Sequence, residues 1–259
     1  VFHTADVLAG VTMAQLIKPG APVLFGGAPA AFHMKATTAP MSAVEAQRLD
    51  AAYVAVAKSL GLPSQAYMAL SDSKYLDAQA GAETSGSALL AALAGVNSVS
   101  GPGMLDYVLT FSLAKLVFDD EMCGQALAFV RQVRPLGDLP ALDLARQLLD
   151  KQHLLTADHT LAHWPQELYL PGSVIDRENR DNWAKAGSPP LEKRAHDEVE
   201  RRLAMYEPPQ TDARMDAEMR RLVQAGMAQK RALPAIPPPP DRPIKSDVSA
   251  RRSRRPRRP

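Results

Sequence analysis

The residues best placed to do chemistry fall in one short stretch. Asp72, Lys74, Asp77 and Gln79 put two carboxylates, an ammonium and an amide within eight positions. An ammonium in such company has two uses. Desolvated, Lys74 loses its proton and attacks a carbonyl to form a Schiff base; solvated, it pairs with Asp72 or Asp77. The charged neighbours favour the ion pair. A second set, His159, His163 and Glu167, is spaced i, i+4 and i+8, which places all three on one helix face and mimics a zinc-chelating pair. Pro165 is expected to interrupt that helix and no HExxH string accompanies it, so a hydrogen-bonded structural role for His163 is the expectation. Gly26-Gly27 lacks the G-x-G-x-x-G spacing, and the chain holds neither GxxxxGK[ST] nor G-x-S-x-G, which leaves nucleotide binding and a hydrolase elbow without support. Gly101-Pro102-Gly103 reads as a sharp turn where backbone comes close to a ligand or to the next helix.

These positions must be held by strand ends. Three apolar runs, Pro22 to Phe25, Gln65 to Leu70 and Val96 to Ser100, each stop at polar or glycine-rich residues, the pattern of strands buried on both faces. Helical patterns lie between them. Val1 to Ile17 reads as a helix stopped by Lys18-Pro19-Gly20. Ser42 and Glu45 have capping-box spacing ahead of Leu49, Ala52, Val56 and Leu60. Further helices are predicted over Ala78 to Ala94, with Gly95 as the stop, and across Phe111 to Val133. Such alternation predicts an α/β fold of right-handed βαβ units, either a (β/α) barrel or a doubly wound sheet. In both, sites form at the carboxyl ends of the strands, which singles out Gly26-Gly27, Ser71 to Lys74 and Ser100 to Gly103. Solvation and capping of the 78–94 helix is the competing use of Asp72, Lys74, Asp77 and Gln79.

Beyond Ala141 the pattern becomes helical and irregular. Leu191 to Tyr206 is a charged amphipathic helix, Arg214 to Arg231 is one more, and from Pro234 the chain becomes rich in proline and arginine, the composition of a disordered tail. The chain is 259 residues long and 46% apolar with 22% charged residues, values ordinary for a globular protein with a sizeable core. No segment approaches the ~20 apolar residues of a membrane span. The single cysteine, Cys123, excludes an internal disulfide framework and leads to the expectation of a cytoplasmic protein. Residues 236–259 carry eight Lys/Arg and two Asp/Glu, a net of +6; with +2 for the whole chain, residues 1–235 carry −4. The basic character therefore belongs to the tail, and nucleic acid is not an expected partner of the folded part.

Several strings, in order, carry a resemblance. Ala5-Asp6-Val7-Leu8-Ala9-Gly10 is followed by Pro19-Gly20-Ala21-Pro22-Val23. Asp72-Ser73-Lys74 is followed by Asp77-Ala78-Gln79-Ala80-Gly81. Leu89 to Asn97 leads into Gly101-Pro102-Gly103-Met104-Leu105-Asp106, and later come His159-Thr160-Leu161 and Glu207-Pro208-Pro209. Together they resemble the trimethylamine methyltransferase family, over about Ala5 to Pro209.

The resemblance implies a TIM-type (β/α)8 barrel of which residues 1–209 form the C-terminal part, followed by a helix over 210–233 and the disordered tail over 234–259. A chain that opens inside a helix without a leading methionine fits such a part. The implied activity is transfer of a methyl group from a methylated amine to the Co(I) of a corrinoid (cobalamin) cofactor carried by a separate corrinoid protein. The resemblance also implies a homo-oligomer in the full-length form. Some family members that use trimethylamine carry pyrrolysine; the corresponding position here falls near Ser100, an ordinary serine, which turns the expectation toward quaternary amines such as glycine betaine or carnitine. A quaternary nitrogen leaves as a neutral tertiary amine and has no N–H to donate, so it calls for aromatic faces and carboxylates. Phe25, Tyr107 and Phe111 are the candidate aromatics, Asp72 and Asp106 the candidate charges, Lys74 or His159 the candidate partner of a betaine carboxylate, with Gln79 and Ser100 completing the set. A Schiff-base aldolase using Lys74, or a non-catalytic half-barrel that binds a partner, are the alternatives.

Overall fold

A computed structural model describes residues 1–133, 135, 140–207 and 212–227. The tail predicted over 234–259 lies outside the described residues, as do Pro208 and Pro209. One compact unit spans Val1–Tyr206, and a second begins at Glu207.

The chain opens with α1 (Phe2–Ile17), then runs through a long loop in which Phe25 makes a parallel bridge to Ser64. Next come α2 (Val44–Ser59), β1 (Gln65–Ala66), α3 (Ala78–Ala94) and β2 (Ser98–Val99). β1 and β2 pair in parallel, with Gln65 opposite Ser98 and Ala66 opposite Val99. The three segments thus neighbour one another in chain order, each crossover made by one helix. This is an α/β arrangement, helix-dominant and with very short strands. β3 (Met104–Leu105) and β4 (Thr110–Phe111) form an antiparallel hairpin that the sequence reading did not foresee. Because Phe111 is paired in β4, α4 starts later than predicted and spans Leu113–Phe129. Then follow α5 (Ala141–Lys151), α6 (Asp158–Glu167), α7 (Arg180–Lys185) and α8 (Leu191–Ala204). The second unit contributes α9 (Ala213–Met227), which carries Asp216–Arg220 and Glu218–Arg221 ion pairs.

Local chemistry sets most of these bounds. Asp77 caps α3 by accepting from the Ala80 N–H at 2.9 Å, and Gly95 ends it at φ 69°. The capping box expected at Ser42 and Glu45 does not form. The cap position is Ala43, and the Ser42 hydroxyl instead donates to the Leu70 carbonyl at 3.2 Å, a tertiary bond from loop to strand end. Nor does Pro165 interrupt α6: it removes one backbone bond to the Leu161 carbonyl, yet the chain stays helical to Glu167 and the Leu168 N–H closes the last turn on the Trp164 carbonyl at 3.1 Å.

Phe25, Tyr53, Val54, Ala57, Ala66, Met68 and Ala91 form the main buried cluster, beneath Val7 and Leu8 of α1. A second cluster of Val117, Phe118, Val174, Ala195 and Val199 joins α4 to α8. Between α3 and α4 the contact is made by Ala88 and Ala126 with Ala69, small side chains that let the two helices approach closely. No helix among the described residues is long and apolar enough to cross a membrane.

Candidate functional site

The polar stretch at the end of the β1 segment opens onto a wide-mouthed cavity of about 550 Å³, lined by Asp72, Lys74, Asp77, Gln79, Glu83 and Tyr107 among others. A loop carrying His33, Thr38 and Pro40 forms its opposite wall. Asp72 fastens that loop: its two carboxylate oxygens accept from the Met41 N–H at 3.0 Å and the Ser42 N–H at 2.9 Å. Burial pushes the Asp72 carboxyl above the usual range, against the lowering effect of those two N–H donors.

Glu83, which the sequence reading passed over, organises the floor. It accepts from the Ser71 hydroxyl at 2.6 Å, the Asp72 N–H at 2.9 Å and the Gln79 amide at 2.9 Å. Gln79 and Glu83 stand i, i+4 on α3, and that spacing is the signal by which Glu83 was recoverable. Asp77 bonds the Ser73 hydroxyl at 3.0 Å as well as the Ala80 N–H, and the Ala80 bond holds its carboxyl below the usual range.

Lys74 does not pair with Asp72 or Asp77 through their carboxylates. Its ammonium donates to the Asp72 backbone carbonyl at 2.8 Å, pairs with Asp106 at 3.3 Å and lies 4.0 Å from the centroid of the Tyr107 ring. Partial desolvation of this ammonium is outweighed by Tyr107 and Asp106, which together hold its pKa above that of an ordinary lysine.

The segment bearing Asp106 and Tyr107 is strained. Asp106, Tyr107 and Val108 all have positive φ, at 50°, 57° and 69°, three consecutive left-handed residues without a glycine. The β3–β4 pairing holds the turn, together with the Asp106 N–H to the Ser73 carbonyl at 3.0 Å and the Leu109 N–H to the Asp106 carbonyl at 2.9 Å. Strain of this kind, held by surrounding bonds, collects at functional sites.

The turn is reached through Gly101 and Gly103. A Cβ on Gly101 would collide with the Met68 carbonyl oxygen, and Gly103, at φ 88°, lies under the Phe111 ring. Beneath it sits an ion pair wholly removed from solvent. Lys115 and Asp119 of α4 approach to 2.5 Å, Lys115 also donates to the Thr84 hydroxyl at 2.8 Å, and Asp119 accepts from the Gly103 N–H at 2.7 Å.

Asp72, Lys74, Gln79 and Tyr107 therefore share one cavity, with Asp106 joined through Lys74. The other candidates stand elsewhere. Phe25 is fully buried in the main core, against Tyr53. Ser100 touches the amide of Gln65, the first residue of β1, whose carbonyl oxygen accepts from the Gly27 N–H at 3.3 Å. Phe111 is half exposed over Gly103. His159 packs on His163 at 4.5 Å between ring centroids. Among the described residues no cluster of three or more metal-ligating side chains occurs.

An acidic, aromatic-edged cavity at a strand end, walled by a loop fastened by Asp72, is the setting in which the comparisons with known proteins have meaning. Residues 1–231 match the family model described as trimethylamine methyltransferase (MTTB). The chain belongs to that family. The relatives include a trimethylamine methyltransferase MttB of Desulfitobacterium hafniense, 32% identical over 224 residues, which are 86% of this chain and 45% of the relative. A glycine betaine methyltransferase of the same species is 34% identical over 229 residues, 88% of this chain and 47% of the relative. A trimethylamine methyltransferase MttB of Methanosarcina barkeri is 33% identical over 225 residues, 86% of this chain and 45% of the relative. The chain spans about half the length of these relatives.

Proposed function

We propose that this chain supplies the amine-binding part of a methyltransferase that takes a methyl group from a quaternary amine of the betaine class, with the Co(I) of a partner protein's corrinoid as acceptor. The observation that carries the reading is the Tyr107 ring, which already holds an ammonium against its face at the edge of an acidic cavity. A quaternary nitrogen asks for the same surroundings: a π face for its methyl groups and carboxylates nearby. Membership of a family with named trimethylamine and glycine betaine methyltransferases supports the reaction class. The (β/α)8 barrel is part of the same proposal, supported by the parallel segments that neighbour one another in chain order.

The wide mouth suits an acceptor presented from outside, and the carboxylates and Tyr107 at its edge are suited to the amine rather than to a resident cobalt. The corrinoid supplies the nucleophile. Residues of this chain do the rest: Tyr107 seats the trimethylammonium head, Asp106 and Asp77 supply negative charge, and Lys74 faces the substrate carboxylate. Orientation of the C–N bond and exclusion of water are the main contributions the protein makes to such a transfer. The nitrogen keeps the C–N electron pair and leaves as a neutral tertiary amine, so no side chain has to deliver a proton. The aldolase alternative gains no support, since Lys74 is half exposed and its pKa is raised rather than lowered.

The test is product analysis. A protein of the relatives' full length, given reduced corrinoid protein and glycine betaine, is expected to form dimethylglycine; absence of any demethylated product across a panel of quaternary amines overturns the reading.

A further inference from the structure

Within the proposed amine site, Lys74 has a role that follows from where its ammonium stands. The Tyr107 face is occupied: Lys74 lies 4.0 Å from the ring centroid, and its side chain is 52% exposed, so the contact is a surface one, open to exchange. Tyr107 is itself held in the strained left-handed turn. A ligand ammonium that seeks this ring must take the place of the lysine.

We propose that Lys74 is a specificity-determining residue that occupies the Tyr107 face as an internal competitor and rewards only those cations that carry a carboxylate. A simple quaternary cation displaces the ammonium and gains nothing from it afterwards, while leaving a positive charge close by. A zwitterion with a carboxylate beside its ammonium displaces Lys74 from the ring and receives it as an ion-pair partner. The Asp72 carbonyl, on which Lys74 also rests, keeps the ammonium within the cavity during the exchange. The site so built selects betaines over tetraalkylammonium ions and over neutral amines.

The proposal rests on the amine-site reading but is tested without turnover. The 259-residue chain is titrated calorimetrically with tetramethylammonium and with glycine betaine, as wild type, Lys74→Gln, Tyr107→Leu and the double variant. The half-exposed side chain of Lys74 makes Lys74→Gln compatible with folding. Lys74→Gln is expected to tighten tetramethylammonium by roughly two- to fivefold, the size of one exposed cation–π contact. For glycine betaine the same relief is offset by loss of an exposed ion pair, so its affinity is expected to change by less than about twofold. In the Tyr107→Leu background the gain for tetramethylammonium disappears, whereas a general charge effect of Lys74 would survive there. Equal tightening of both ligands, no tightening of tetramethylammonium, or no binding by any variant overturns the inference. Failure of methyl transfer with this difference between the two ligands intact would instead overturn the reaction and leave the binding site in place.

Discussion

The Asp119 carboxylate reaches across from α4 to the Gly103 N–H, 2.7 Å away, while it is paired with Lys115 in a setting closed to solvent. That bond ties the turn bearing Asp106 and Tyr107 to the helical layer. Burial pushes both groups toward neutrality, Lys115 downward and Asp119 upward, each opposed by its partner. Removing one partner leaves the other uncompensated. Lys115→Met is expected to cost about 3–5 kcal/mol of stability. The double variant Lys115→Met, Asp119→Leu is expected to cost less than the single, since no buried charge remains. Urea unfolding of both variants checks the order.

Asp72 acts first on the loop over the cavity. Asn at this position offers one acceptor oxygen to two N–H groups and turns a donor toward the second. Asp72→Asn is expected to loosen the wall that carries His33 and Thr38, with a local loss of about 1–3 kcal/mol for the unsatisfied donor. Limited proteolysis reads it directly: cleavage between Gly27 and Pro40 should accelerate while cleavage within α3 does not.

Asp50 is buried in α2 beside Tyr53, and burial raises its carboxyl to about 7, only partly offset by the Tyr53 hydroxyl. The folded state therefore binds a proton that the unfolded state has already released at the ordinary carboxylate value of 3.8. Stability from this group falls as pH rises from about 4 to about 7 and is constant above that. Asp50→Asn removes the penalty. Its stability advantage over wild type is expected to be small at pH 4, to grow up to pH 7 and then to level off, as measured by denaturant midpoints across that range. An advantage that shrinks with pH contradicts the assignment.

Much of this architecture was legible in the residues. Asp77 and Gly95 bound α3 by well-understood end chemistry, and the apolar runs located the parallel segments, though the strands proved shorter than the runs. Signals failed where tertiary partners competed with local ones. Ser42 gave up its cap for the Leu70 carbonyl, and Lys74 passed over two nearby carboxylates for Asp106, more than thirty residues away. The β3–β4 hairpin escaped notice because its turn is left-handed without the glycine or asparagine that usually announces one. Phe25 shows the converse difficulty: an aromatic residue at a strand end reads alike whether it faces a ligand or the core.

Methyl transfer at the Tyr107 face is the central step of the proposed reaction. The decisive measurement is the Co(I) absorbance of a reduced corrinoid protein, mixed with a protein of the relatives' full length that contains this chain and then with glycine betaine or trimethylamine. The account predicts loss of the Co(I) absorbance with glycine betaine, little change with trimethylamine, and a rate at least tenfold lower when Tyr107 is replaced by leucine, about 1.4 kcal/mol of lost stabilisation. Loss of the absorbance with trimethylamine alone, or an unchanged rate for Tyr107→Leu, would contradict it.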